Sequence, residues 1–164
     1  YLSGDAAYLG VLRDTSEVRS NVGLRFAAPC HLYDLRRGEY LGKAAETAAL
    51  IAPGHCKVFS LLPYRVAEVR VQVGGREHKP GDVVRCRVAV QTEDGSAGMH
   101  VYRLEITDPA GQTCDYYGGQ ITAQDGTGTH EFRLALDDPA GAWKITATDV
   151  ATGVTGTARM TVSQ

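Results

Sequence analysis

The sequence contains no apolar run near the roughly 20 residues that a membrane-crossing helix needs, so no membrane partner is expected. It has no run of Lys or Arg, and its formal charge is -2. Nucleic-acid surfaces depend on clustered positive charge, so no nucleic acid is expected either. No serine stands in a Gly-x-Ser-x-Gly elbow and no glycine-rich segment has phosphate-loop spacing, which leaves nucleophilic and nucleotide chemistry without a motif. No signal-peptide pattern stands at the front. The chain begins at Tyr1 without methionine, and we expect a fragment or a processed product from which targeting information has been left out.

Cysteine is sparse. Cys30, Cys56, Cys86 and Cys114 are widely and irregularly spaced in a chain of 164 residues, long enough to build its own core, so they do not form a disulfide framework. Cys86 falls on the apolar phase of Val84-Arg85-Cys86-Arg87-Val88 and reads as a small buried hydrophobe. A Cys30 to Cys56 bridge is left open, and cysteine usage does not settle the redox compartment.

What the sequence does have is turn chemistry and alternation. Its 19 glycines and six prolines recur at short intervals, as many turns between short strands require. From residue 66 onward a period of two runs through Val69, Val71 and Val73, then Val84, Cys86, Val88 and Val90, then Tyr102, Leu104 and Ile106. It continues in Phe132, Leu134 and Leu136, in Trp143, Ile145 and Ala147, and in Ala158, Met160 and Val162. Charged and hydroxyl residues fill the opposite phase, so each run predicts a half-buried strand. A weaker strand is expected within Gln112 to Thr122. Asp108-Pro109-Ala110-Gly111 and Asp138-Pro139-Ala140-Gly141 fit type I turns, and Lys79-Pro80-Gly81-Asp82 is a further turn signal. This is about what an immunoglobulin-like sandwich of roughly 100 residues needs.

Residues before about 63 read as a smaller β unit, with strands expected at Tyr8 to Leu12, Val22 to Phe26, His31 to Leu35, Glu39 to Gly42, Glu46 to Ile51 and Cys56 to Leu62. The alanine-rich stretch Lys43 to Leu50 has helix-forming composition, but the neighbouring turns favour strand. The junction Leu62-Pro63-Tyr64-Arg65-Val66 has no Gly/Ser spacer, so the two units are expected to pack as one body. The expected fold is therefore all-β: two tandem antiparallel β-sandwich domains, 1–63 and 64–164, the second immunoglobulin-like.

The run His31-Leu32-Tyr33-Asp34-Leu35-Arg36-Arg37-Gly38-Glu39-Tyr40-Leu41-Gly42, with Pro53-Gly54 and Phe59 to Tyr64, resembles the small C-terminal β-sandwich that follows the catalytic barrel in bacterial glycoside hydrolases of the β-galactosidase and α-amylase type. Gly98 to Leu104 and Asp137 to Trp143 look like the immunoglobulin-like or macroglobulin-like modules of such multidomain proteins. The resemblance implies a non-catalytic accessory segment of a larger secreted glycosidase-like protein, bracing an upstream catalytic domain of the same polypeptide or assisting assembly through oligomer contacts. It also implies an extracellular or periplasmic location. No catalytic residue and no cofactor are carried over.

Each chemical candidate has a structural counterpart. Glycoside hydrolysis needs two carboxyl groups roughly 5 to 9.5 Å apart across a cleft, whereas Glu93-Asp94 and Asp137-Asp138 read as solvated turn acids. Asp125 and Asp149 lie in Asp-bearing turns without calcium-loop spacing. Cys30-His31 and His55-Cys56 carry zinc-ligand types, but in strands adjacent side chains diverge. His100 and His130 read as hydrogen-bonded rim histidines rather than a paired pH-sensitive site. Trp143 shares its phase with Ile145 and reads as core. The remaining lead is Tyr116-Tyr117-Gly118-Gly119, since exposed aromatic rings stack on sugars. Tyr116 and Tyr117 are therefore the candidate ligand-binding residues of a carbohydrate-binding module, the alternative to the accessory role. A cell-surface spacer or adhesion module is the third class.

Overall fold

The computed structural model describes residues 2–3, 6–15 and 18–163, and among them every regular element is a strand. The strands are β1 (Leu2–Ser3), β2 (Ala6–Leu12), β3 (Ser20–Asp34), β4 (Glu39–Ile51), β5 (Cys56–Leu62), β6 (Val66–Val73), β7 (Glu77–His78), β8 (Val83–Thr92), β9 (His100–Thr107), β10 (Gly119–Ala123), β11 (Thr127–Arg133), β12 (Gly141–Asp149) and β13 (Thr155–Val162). They form a five-stranded sheet in the order β1-β2-β5-β3-β4, a second in the order β10-β9-β12-β13-β7, and a three-stranded sheet β11-β8-β6. The fold is all-β, as expected. Its pairings are antiparallel except for a short parallel ladder that sets Thr161 and Val162 of β13 beside Glu77 and His78 of β7.

The second and third sheets pack face to face. Their inward phase is the alternation read from sequence: Val69, Val84, Cys86, Val88, Tyr102, Leu104, Ile106, Trp143, Ile145, Ala147, Met160 and Val162 form one buried cluster. Each large side chain buried in this way contributes about 1.5–3 kcal/mol. Trp143 is enclosed and donates its indole N–H to the Pro139 carbonyl at 3.0 Å. At Gly156 on β13 the sheets meet most tightly, because a Cβ built there would stand 2.0 Å from the carbonyl oxygen of Val69 on β6.

The first sheet carries an apolar cluster of its own. In β3 the four residues 26–29 lie between the rungs Arg25↔Glu46 and Cys30↔Ala44, opposite only Ala45. This bulge bends the long β3–β4 hairpin. Beyond it Ala49 and Ile51 cluster with Phe59, with Val11, Val22 and Leu24 packed against them.

Several sequence expectations are revised here. Val22 to Phe26 and His31 to Leu35 are one strand, β3, and Glu39 to Gly42 and Glu46 to Ile51 are one strand, β4. Lys43 to Leu50 is extended, as the neighbouring turns led us to expect, because its backbone pairs with β3. The weak strand of residues 112–122 is β10, at the far end of that range. Leu136 is 85% exposed: β11 ends at Arg133, Leu134 is still buried and donates its N–H to the Asp82 carbonyl, and the strand does not continue as far as Leu136.

Turn chemistry follows sequence more closely. Gly111 donates its N–H to the Asp108 carbonyl at 3.0 Å, and the Asp108 carboxylate accepts from Gln112 N–H at 2.8 Å. Asp82 and Lys79 exchange a comparable pair of bonds.

Candidate functional site

The chemistry-bearing side chains converge where the first sheet meets the sandwich. Ala6, Tyr33 and Leu62 from the first sheet cluster with Tyr64 and Val66, and Tyr8, Val90 and Val154 pack against them. Tyr33 on β3 accepts the N–H of Val66 on β6 at 2.9 Å through its phenol oxygen. Ser60 on β5 donates its hydroxyl to the carbonyl of Ala151 in the turn after β12. The turns at Gly38 and Gly153 press together, both at left-handed φ, and a Cβ on Gly153 would stand 2.5 Å from Gly38 Cα.

Behind this contact lies a buried polar chain. Gly98 donates its N–H to the Tyr64 hydroxyl oxygen at 2.7 Å, and that hydroxyl lies 3.0 Å from His100 Nε2. His100 Nδ1 is 2.8 Å from Asp149 Oδ1, and Thr152 donates to Asp149 Oδ2 at 2.5 Å. A carboxylate only accepts and a backbone N–H only donates. In the neutral form the ring carries its proton on Nδ1, and Tyr64 donates into Nε2. Tyr64, His100, Asp149 and Thr152 are all buried. The geometry is that of a proton relay, but its burial leaves no atom for a substrate to reach. What it does is lock Tyr64, at the start of the sandwich, to the strand ends of β9 and β12.

At the surface of the same junction, Asp94 accepts the N–H of Arg65 at 3.0 Å and a bond from Lys43 Nζ at 3.4 Å. His31 Nε2 stands 3.4 Å from Asp94 Oδ2, within ion-pair range, and His31 Nδ1 lies 2.8 Å from the Tyr40 hydroxyl. The Arg65 guanidinium sits over the Tyr40 ring at 4.7 Å. The Arg65 backbone bond, followed by Lys43 and His31, holds the Asp94 carboxyl below its ordinary range.

The structure separates the two tyrosines. Tyr116 is 74% exposed, whereas Tyr117 is buried, donates its hydroxyl to Asp138 Oδ2 at 2.6 Å and accepts Ala135 N–H at 2.7 Å. Burial raises the Tyr117 phenol pKa, and the Asp138 bond adds to it. The rings meet edge to face at 4.4 Å.

Other candidates move further. Asp138 is a buried hydrogen-bonded acid rather than a solvated turn acid, and Asp149 is buried as well. Both oxygens of Asp149 are engaged by protein groups, and Asp125 is exposed in a separate turn. Among the described residues no His, Cys, Asp or Glu group could hold a metal ion. The four cysteines are free, and a Cys30–Cys56 bridge is excluded by register. His31 pairs with Leu62 on β5, so Cys30 lies at the opposite end of that strand from Cys56. His100 is not a rim residue but is enclosed at the junction, and His130 is separately engaged with the Tyr117 carbonyl at 2.8 Å.

Sequence reasoning missed Tyr64 and the role of Asp149. The one available signal was Asp149 at the head of a Gly153-closed turn, a side-chain acceptor position. Nothing local ties it to His100, 49 residues away.

No protein-family model matches the chain, and no curated protein sequence matches it. Among solved structures the fold is similar to part of Salmonella alpha-2-macroglobulin, at 14% identity and a TM-score of 0.50, covering 99% of this chain and 12% of that one. It is also similar to the Bacillus subtilis sporulation control protein Spo0M (17% identity, TM-score 0.38, 61% of this chain and 50% of that one). A Listeria innocua β-glucosidase matches at 13% identity and a TM-score of 0.37, over 59% of this chain and 16% of that one. The likeness is one of fold, rests on the first of these, and supports a β-sandwich without singling out a parent protein.

Proposed function

We propose that this chain is a non-catalytic accessory segment of a larger secreted glycosidase-like polypeptide, divided near Pro63 into residues 1–63 and 64–164. It acts as a stiff brace beside an adjoining catalytic domain and helps that domain assemble, outside the cytoplasm. The observation that supports this reading is the junction: a shared apolar cluster, the Tyr64–His100–Asp149 chain and the Gly38–Gly153 contact invest the best-placed polar chemistry in fixing one unit on the other. Buried polar networks that are fully satisfied favour a single arrangement over alternatives. Of the turn acids that sequence offered for catalysis, Asp94 is engaged by Arg65 and Lys43 and Asp138 by Tyr117 and Ala135, which agrees with the same reading.

The test is to express the full polypeptide with and without residues 1–164 and to compare thermal stability, oligomeric state and glycoside turnover. Loss of stability or assembly on removal is the expected outcome. Unchanged behaviour, or hydrolysis of aryl glycosides by the segment alone, would overturn the proposal.

A further inference from the structure

The first sheet has two open strand edges. β5 pairs with β3 only from His31 to Asp34, so Ser20 to Arg25 of β3 have β4 on one side and, among the described residues, no strand on the other. β1 reaches only Ala6 and Ala7 of β2, so Leu9 to Leu12 have β5 on one side and likewise no described strand on the other. The two edges meet at one end, where Arg13 Nη1 donates to the Ser20 carbonyl at 3.1 Å. Away from that contact no rung joins them among the described residues. There a groove of about 700 Å³ opens between Ala7 to Leu9 on one strand and Gly23 to Cys30 on the other, with Leu61 to Pro63 completing its lining.

The backbone of this seam calls for polypeptide. An open strand edge presents a row of N–H and C=O groups that another extended chain can answer, whereas an acyl chain would leave them without partners. Two glycines point the same way. Gly10 on β2 and Gly23 on β3 have no left-handed φ, and a Cβ on either would meet nothing within 4 Å. Neither a turn nor a packing neighbour requires glycine there, and glycine inside a strand commonly marks the close approach of another backbone. Charge narrows the choice further. Arg25 is the one charged residue of the lining and already faces Glu46 at 3.6 Å, while Leu9, Leu24, Phe26 and Leu62 make the rest largely apolar. An uncharged occupant matches that lining.

We propose that the seam is a docking site for an uncharged, extended segment of another polypeptide, a strand of about five to seven residues. Its backbone hydrogen-bonds to the open edges of β2 and β3, and its apolar side chains alternate into the groove. The site does not depend on the bracing role, because binding is read on this chain alone.

The experiment mixes the whole chain with capped seven-residue peptides that alternate Ser or Thr with Ala, Val, Leu or Phe. Affinity is followed by calorimetry and amide exchange by mass spectrometry. Binding by members of this set is expected, with exchange slowed at Leu9 to Leu12 and Ser20 to Arg25. N-methylation of alternate amides in a bound peptide removes backbone donors and keeps every side chain, so affinity should fall about tenfold or more. Gly23→Phe, at a position with open space around it, should leave urea-unfolding stability unchanged and weaken binding by about tenfold as well. No protection at either edge with any of the peptides, or equal affinity after N-methylation or in Gly23→Phe, would overturn the proposal. So would dimerisation of the chain through these edges in sedimentation, or protection by dodecanoate in place of the peptides.

Discussion

At the scale of single residues, the buried chain from Gly98 through Tyr64, His100 and Asp149 to Thr152 is the most demanding arrangement in the molecule. Every member is satisfied by another, so removing one hydroxyl strands two groups. Tyr64→Phe keeps the ring in its apolar cluster but leaves Gly98 N–H and His100 Nε2 facing carbon. Unsatisfied buried polar groups cost about 1–3 kcal/mol each, so urea unfolding of Tyr64→Phe should show a loss of about 2 kcal/mol or more. A loss below about 0.5 kcal/mol, within the usual range for neutral surface changes, would mean that the hydroxyl is not the lock described. Little of this was legible in the sequence. The alternation placed His100 on the inward phase correctly, but its partners stand 36 and 49 residues away. Asp138 shows the same limit, since an Asp-Pro turn reads as solvated until Tyr117 arrives from 21 residues upstream.

Among strands and turns, legibility followed burial. In the sandwich, one wet face and one dry face give clean alternation, and the register ladders reproduce it strand by strand. Leu136 was misplaced because period two continues in the sequence past the point where the backbone leaves the ladder. In the first sheet the pattern breaks at Ala27-Ala28-Pro29, which falls between two expected strands but is a bulge inside β3. Gly156 is the position where one element depends most sharply on another. Its missing side chain lets β13 pass against the Val69 carbonyl of β6, so Gly156→Ala must push the two sheets apart. Overpacking of this kind costs about 1–3 kcal/mol and sometimes more. The expected result is an unfolding free energy from urea titration lowered by about 3 kcal/mol, with unchanged strand content by circular dichroism. Native stability in that variant would show that the sheets do not meet there.

For the molecule as a whole, pH acts through groups of both kinds. Burial pushes the Tyr33 phenol up to about 12 and the Cys86 thiol up to about 11, and it raises Tyr102 and Tyr117 as well. Between the ordinary values of 10.0 for tyrosine and 9.0 for cysteine and these raised ones, the folded chain holds more protons than the unfolded one. Stability therefore falls as pH rises through that window. Thermal scans should show a midpoint that declines steadily above pH 10, and a flat profile to about pH 12 would contradict the burial of these groups. Asp94 works in the opposite sense. Its carboxyl is held below 3.8, so its contribution is complete above that value and disappears as pH falls through the lowered one. Asp94→Asn should flatten the acid limb of the profile while leaving the alkaline limb in place.

The shared cluster at the junction also has a consequence for biosynthesis. Tyr33 and Leu62 are covered by Tyr64 and Val66 and flanked by Val90 and Val154, and Ser60 waits for the carbonyl of Ala151. A ribosome delivers the chain from the amino end, and domains ordinarily fold in that order as they emerge. Here the earlier sheet has to stay incompletely sealed until nearly all of the later sandwich has been translated. The nascent chain is thus most exposed to proteases and to misassociation while its amino-terminal half is already out, and completion of β12 and its following turn is the moment that closes it.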